Sequence, residues 1–313
     1  METRPNLLVI NNFHPPTVTK LDRLYQTHHL WKLSGEHQQE LISELAGLCT
    51  AAATGSWAFN ETAYKLESLE LIAAFGVGVD GIDLNLTREN QIRVTNTPNV
   101  LNDDVADIAL ALILATSRNI INADRYVRSK QWEKGPMHYD SGLAGKTLGI
   151  IGLGRIGQAV VERALPFKLK IAYHNRNNKK LSYEYFSTVE ELAKHSDILL
   201  SILPGGKETK GIVDAEVLKS LGPKGIFINI GRGTSVNEND LINSLSQETI
   251  AAAGLDVYES EPKVPKALRE LDNVVLLPHI GSATLQTRAA MGNLLLENLN
   301  AFFSKKSLIS EVV

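Results

Sequence analysis

The chain has 313 residues, about twice the length of a typical single domain, so two separate cores are expected. Hydrophobic residues make up 43% and charged residues 21%, with no low-complexity tract, which excludes disordered and fibrous classes. A formal net charge of -3 provides no basic footprint, so neither a nucleic acid nor an anionic membrane surface is an expected partner.

In chain order, the start METRPNLLVINNF runs straight into a short apolar stretch. It lacks the long apolar core and small-residue cleavage site of a signal peptide, so a cytoplasmic location is expected. Residues 7–11, 47–53, 71–75 and 92–96 read as strands separated by polar helical segments. The single cysteine, Cys49, lies in the second of these runs and reads as a small core residue rather than a nucleophile. Across 101–132, Asn102 or Asp103 can cap one long interdomain helix, and Val105, Ile108, Ala109, Leu112 and Ile113 keep helical spacing. The aliphatic run 109–115 within it is far short of the roughly 20 residues that cross a bilayer.

A second block places strands at 147–151, 170–174, 197–203, 225–230, 252–257 and 273–277, again alternating with helical patterns. A last helix over 285–304 can return to complete the first domain. The expected fold is α/β, with two Rossmann-like, doubly wound, parallel-sheet domains. The first domain is discontinuous, at 1–99 plus 287–313, and 100–286 forms the dinucleotide-binding domain.

Gly152-Leu153-Gly154-Arg155-Ile156-Gly157 fits the dinucleotide fingerprint, whose glycines permit a tight turn, close backbone approach to a pyrophosphate and close helix packing. Alone it is a weak signal. Its place after a strand and before the helical segment 158–167 gives it weight, because a helix N-terminus presents free N–H groups to phosphate. The next strand ends at His174-Asn175-Arg176, about 20 residues on, where an NAD enzyme carries an acidic residue for the ribose. Arg176, backed by Lys179 and Lys180, suits the 2′-phosphate of NADP instead, so NADP(H) is preferred and NAD(H) remains possible.

Ligands of open α/β sheets bind outside the carboxyl ends of the strands. Three successive strand ends there carry Arg232 in Gly231-Arg232-Gly233, Glu261 before Pro262, and His279 after Pro278. An arginine can grip a carboxylate or polarise a carbonyl, a histidine can donate a proton, and a carboxylate on its other nitrogen fixes the tautomer. Singly, each has an ordinary structural explanation: a turn cap, a solvated carboxylate, a structural histidine. The three together do not. His28, His29, His37 and His195 lack this placement and are expected on surfaces or at helix ends.

In these features, and in the ordered stretches 75–80, 94–98, 145–149, 228–233, 254–258 and 278–284, the chain resembles the D-isomer-specific 2-hydroxyacid dehydrogenase family, most closely its glyoxylate/hydroxypyruvate reductase branch. The resemblance covers nearly the whole chain and is weakest in the N-terminal third. It implies an enzyme interconverting small 2-keto acids and D-2-hydroxy acids, with Arg232, Glu261 and His279 as the catalytic set. It also implies that Val77 and Gly78 offer backbone N–H groups to the substrate carboxylate beside Arg232 and His279. Val105, Leu203, Pro204, Ile230 and Asp256 would line the nicotinamide, and the chain would form a homodimer, held largely through its second domain, including the helix after Leu101.

Three rival readings stand below this one. A 2-ketoaldonate reductase, acting for example on 2-ketogluconate, is compatible with Leu203-Pro204-Gly205-Gly206 and Arg176. A nucleotide-sensing corepressor shares the fold, but nothing in the chain resembles a long recruitment tail. Formate dehydrogenases resemble it too, with glutamine where this chain has Glu261.

Overall fold

The computed structural model describes residues 4–55, 59–138 and 141–313. The first three residues, part of the stretch read for a leader, lie outside it. The chain divides into two compact units, Met1–Leu101 with Thr284–Val313, and Asn102–Ala283.

In the first unit, β1 (Asn6–Val9) leads to α1 (Pro15–Leu24), whose first positions carry prolines pre-set for a helical φ. β2 (Gln26–His29), α2 (Gly35–Glu44), β3 (Cys49–Gly55), β4 (Leu71–Phe75), α3 (Leu84–Glu89) and β5 (Arg93–Thr95) follow. The parallel strands run in the order β2-β1-β3-β4-β5. Every residue of β4 is buried, as in a strand covered on both faces, which is why it reads as an unbroken apolar run. Cys49 is fully buried, and burial pushes its thiol up, as befits a core residue.

The second unit opens with α4 (Asn102–Ser117) and α5 (Ile120–Arg128), two helices where one was expected. The break falls at Asn119, whose φ of 48° is left-handed, a conformation asparagine tolerates better than most residues. The buried residues of α4 include Val105, Ala109, Leu112 and Ile113. There follow β6 (Thr147–Ile151), α6 (Arg155–Ala164), β7 (Lys170–His174), β8 (Glu184–Tyr185), α7 (Val189–Lys194) and β9 (Ile198–Ser201). The unit ends with α8 (Ala215–Leu221), β10 (Ile226–Asn229), α9 (Glu238–Ser246), β11 (Ala252–Leu255), α10 (Lys266–Arg269) and β12 (Val274–Leu276).

Its parallel strands run β12-β11-β10-β9-β6-β7-β8, so the strand order reverses between β6 and β9. That reversal is the crevice where doubly wound sheets hold ligands. The chain then returns to the first unit through α11 (Leu285–Phe303), capped by Thr284, whose Oγ1 accepts from Thr287 N at 3.1 Å. A C-terminal tail pairs with β5: Val94 N donates to Val313 O, and Arg93 grips Glu311 with two hydrogen bonds. Among the described residues, no helix is long and apolar enough to cross a membrane.

One of the histidines expected on surfaces or at helix ends, His28, sits within a strand, whereas His29 ends that strand as the N-cap of a short helical turn, Leu30–Lys32. His28 and His29 belong to β2 and are half-buried, with His28 Nε2 bonded to Asn6 Oδ1 and His29 Nε2 3.0 Å from Asp22. His37 on α2 and His195 at the end of α7 are exposed.

Candidate active site

The glycine loop follows β6 at the reversal point of the seven-stranded sheet. Gly152 has φ +93°, and a Cβ there would sit 3.1 Å from the Ile202 carbonyl oxygen, so only glycine fits without strain. Gly154 is the N-cap of α6, and a Cβ on it would meet nothing closer than 4.0 Å. Its bare backbone is open to close approach by a ligand. Gly157 lies against Leu153 and the Gly152 carbonyl, which a Cβ would crowd at 3.0 and 3.3 Å. Arg155 is exposed and Ile156 half-buried on the first turn of α6. The donor set suits a pyrophosphate: a helix N-terminus, a glycine turn and no carboxylate in the first turn.

Past the end of β7, the Asn175 side chain donates to Leu153 O at 3.3 Å and ties its loop to the glycine turn. Arg176 lies next in the chain and pairs with Glu208 at 3.1 Å, both side chains being largely exposed. An ion pair this exposed is worth little, so a dianion can displace Glu208. Lys179 is exposed on the same loop.

At the C-terminal end of β10, Arg232 is held in an extended conformation by a turn that the sequence does not announce. Buried Asn229 accepts from Gly231 N and donates to Arg232 O, and Ser235 Oγ donates to the same carbonyl at 2.7 Å. Both flanking glycines are required by close packing. A Cβ on Gly231 would lie 2.5 Å from Leu203 O, and one on Gly233 would fall inside the Tyr258 carbonyl group. Leu203 is half-buried against the core below, Pro204 is exposed, and Ile230 is buried.

Glu261 and His279 meet directly: Glu261 Oε2 lies 2.7 Å from His279 Nδ1, and Glu261 Oε1 accepts from Tyr258 N at 3.0 Å. A charged carboxylate can only accept, so Nδ1 carries a proton and Nε2 is left to act. Burial opposes the charge on Glu261, but the hydrogen bond and charge of His279, the Tyr258 N–H and the charge of Arg232 outweigh it and hold the carboxyl below its usual range. Tyr258 adds a second tie, its hydroxyl donating to Leu277 O at 2.8 Å, two residues before His279.

His279 has a left-handed backbone, φ +52°, which costs free energy in a non-glycine residue. Asp256 supplies the compensation. Its two carboxylate oxygens accept from Ile280 N and Gly281 N, each at 2.8 Å, and so clamp the turn that His279 opens. Burial pushes the Asp256 carboxyl up, against these two N–H groups and the His279 charge. Val105 on α4 closes the far side of the turn, 3.4 Å from where a Gly281 Cβ would lie. This clamp is a role that sequence reasoning missed. The signal was a carboxylate at the end of the apolar run 252–257, which needs a buried partner.

In the first unit, Val77 and Gly78 follow β4 on a half-exposed loop. Asn96 Nδ2 donates to Val77 O at 2.8 Å, and Thr97 brackets Gly76 from both sides. The N–H groups of Val77 and Gly78 meet no protein acceptor among the described residues. The described residues contain no cluster of metal-ligating side chains.

Residues 110–281 match the family model described as "D-isomer specific 2-hydroxyacid dehydrogenase, NAD binding domain". The chain is 50% identical over 249 residues to glyoxylate/hydroxypyruvate reductase A of Arabidopsis thaliana, covering 79% of this chain and 80% of that one. It is 44% identical over 300 residues to hydroxyphenylpyruvate reductase of Plectranthus scutellarioides, covering 94% of each. Among solved structures, it superposes with a TM-score of 0.91 and 37% identity on an NADPH-dependent glyoxylate/hydroxypyruvate reductase from Sinorhizobium meliloti, determined with NADP and malonate. That match covers 99% of this chain and 97% of the other. By sequence, by fold and by the dinucleotide cradle after β6, this chain is an oxidoreductase that belongs to the D-isomer-specific 2-hydroxyacid dehydrogenase family.

Proposed function

We propose that the chain reduces small 2-keto acids, glyoxylate and hydroxypyruvate, to D-2-hydroxy acids with NADPH as the preferred reductant. The observation that carries this reading is the Glu261–His279 pair at 2.7 Å, within reach of the Arg232 charge, at the carboxyl ends of β10, β11 and β12. The glycine loop and the α6 N-terminus would hold the pyrophosphate of the cofactor, whose reduced nicotinamide would supply the hydride that the carbonyl carbon takes up. As the C=O π bond breaks, its electron pair moves onto oxygen, and His279 Nε2 gives that oxygen a proton. Arg232 polarises the carbonyl beforehand. Glu261 keeps Nδ1 protonated and stabilises the imidazolium. The N–H groups of Val77 and Gly78 receive the substrate carboxylate in this reading.

Arg176 supports the preference for NADPH, because its exposed partner Glu208 is easily displaced by a 2′-phosphate. The similarity to an NADPH-dependent glyoxylate/hydroxypyruvate reductase supports it further. We also assign the chain a homodimer, since Ile120, Ile121 and Val127 on α5 and nearby Trp132 are large apolar side chains left exposed.

The test is a panel of glyoxylate, hydroxypyruvate, pyruvate, hydroxyphenylpyruvate and 2-ketogluconate, with acetaldehyde as a control and each reduced cofactor. The two- and three-carbon keto acids should be reduced fastest, with acetaldehyde untouched. Comparable turnover of glyoxylate and acetaldehyde would sink the carboxylate cradle. A maximum at 2-ketogluconate or hydroxyphenylpyruvate would reassign the substrate.

A further inference from the structure

Arg288 lies in the first turn of α11 and is half-buried, yet among the described residues no carboxylate pairs with it and no side chain accepts from it. Its described side-chain contact is with an aromatic face, the guanidinium carbon standing 5.7 Å from the Phe75 ring centroid. Burial pulls its pKa below the usual arginine value. A cation over a ring recovers part of the hydration it has lost, and an oxygen ligand would recover more.

The same ring is a platform for two further side chains. His14 stacks on it at 5.4 Å with an interplanar angle of 23°, and Phe13 tilts against it at 5.1 Å. Burial, then the charges of Arg288 and Lys20, hold His14 below its usual range. Its Nδ1 is engaged by Thr17 Oγ1 at 2.8 Å, so the Nε2 edge is the one free to meet a ligand. The neighbourhood is thus cationic on one side and aromatic on the other. Lys20 is turned toward Asn293, and no acidic group contributes to the shifts of Arg288 or His14.

Placement gives this cluster a role. His14 follows β1 and Phe75 ends β4, so both stand at the carboxyl edge of the five-stranded sheet, where ligands of such sheets bind. Phe75 is also joined through Gly76 to Val77, which puts it within about 7.6 Å, Cα to Cα, of the loop assigned to the substrate carboxylate. We propose that Arg288, with His14 on the shared Phe75 platform, forms a subsite for the substituent beyond the keto carbon and takes a hydroxyl or carboxylate oxygen there. This rests on the reading of Val77 and Gly78 as the carboxylate cradle. The substrates it favours are keto acids bearing an oxygen on the next carbon, over those with a methyl group.

The experiment compares wild type with Arg288→Met and Arg288→Lys on four substrates: glyoxylate, which has no carbon beyond the keto group, pyruvate, hydroxypyruvate and ketomalonate. Wild type should favour hydroxypyruvate or ketomalonate over pyruvate. In Arg288→Met, kcat/KM for the favoured acid relative to glyoxylate should fall about tenfold or more, the scale of a lost hydrogen bond to a charged group. The pyruvate-to-glyoxylate ratio should hold within about threefold, and Arg288→Lys should keep part of the preference. A larger loss on ketomalonate than on hydroxypyruvate assigns the oxygen to a carboxylate, and the reverse to a hydroxyl. An equal fall on all four substrates, or an unchanged ratio, overturns the subsite. Failure of the cradle reading shows differently, as equal turnover of glyoxylate and acetaldehyde by the wild type.

Discussion

At the scale of single residues, the proposed reaction centre would consist of three reactive side chains and the groups that hold them still. Arg232, Glu261 and His279 could be found in the sequence because each follows a strand, and strand ends are where such sheets place chemistry. The holders could not. Asp256 reads as a nicotinamide neighbour by resemblance, yet both its oxygens are spent on Ile280 and Gly281, a commitment set by backbone geometry in a different loop. Arg288, Phe75 and His14 likewise meet only through the fold, with over 200 residues of chain between the first and the others. Arg176 was legible from its offset to the glycine loop, whereas its ion pair with Glu208 was not. If that arginine selects the cofactor, Arg176→Asp should lower kcat/KM with NADPH by at least about tenfold, since charge-assisted hydrogen bonds are worth roughly 1.5–3 kcal/mol. NADH should lose far less. An unchanged ratio in steady-state assays with both cofactors would move the selectivity to other residues.

At the scale of elements, the strands that the sequence marks plainly are those buried on both faces, such as β4 and β9. β2 escapes because Gln-Thr-His-His is polar, which an edge strand of a sheet permits. β8 is only two residues long and lies at the other sheet's edge. The helix after Leu101 reads as continuous because its apolar spacing runs past Asn119, and a single left-handed residue leaves little trace in a periodicity. The turn joining β10 to α9 carries Arg232, on which the proposed chemistry depends, and its glycines leave it no room to adapt. Gly233→Ala would drive a methyl group into the Tyr258 backbone, which also anchors Glu261. That variant should lose on the order of a hundredfold in kcat/KM, the scale on which catalysis responds to a displacement of about 1 Å, with a lowered melting temperature. Near-normal activity would mean that the packing of the two loops is dispensable.

At the scale of the whole molecule, two parallel sheets each reverse strand order once, and each presents loops at its carboxyl edge. The apolar face of α5 belongs to neither core, since none of its residues is buried. If a second copy covers it, sedimentation should give a dimer for the wild type, and Ile120→Glu with Val127→Glu should shift it toward monomer with the fold intact by circular dichroism. A wild-type monomer at micromolar concentration would place these side chains in another role. In the proposed reaction, His279 donates the proton while Glu261 keeps it able to do so. Because its neighbours hold the Glu261 carboxyl below its usual range, it is charged throughout a neutral assay, and its removal deprives the imidazolium of a stabilising charge. The most direct measurement is steady-state keto-acid reduction against pH for wild type, Glu261→Gln and His279→Ala. Reduction by the wild type should fade as pH rises and hydroxy-acid oxidation should grow. Glu261→Gln should move the reduction profile to lower pH, and His279→Ala should lose on the order of a thousandfold in turnover, within the usual range for general acid catalysis. A profile unmoved in Glu261→Gln, or near-wild-type turnover in His279→Ala, would contradict the account.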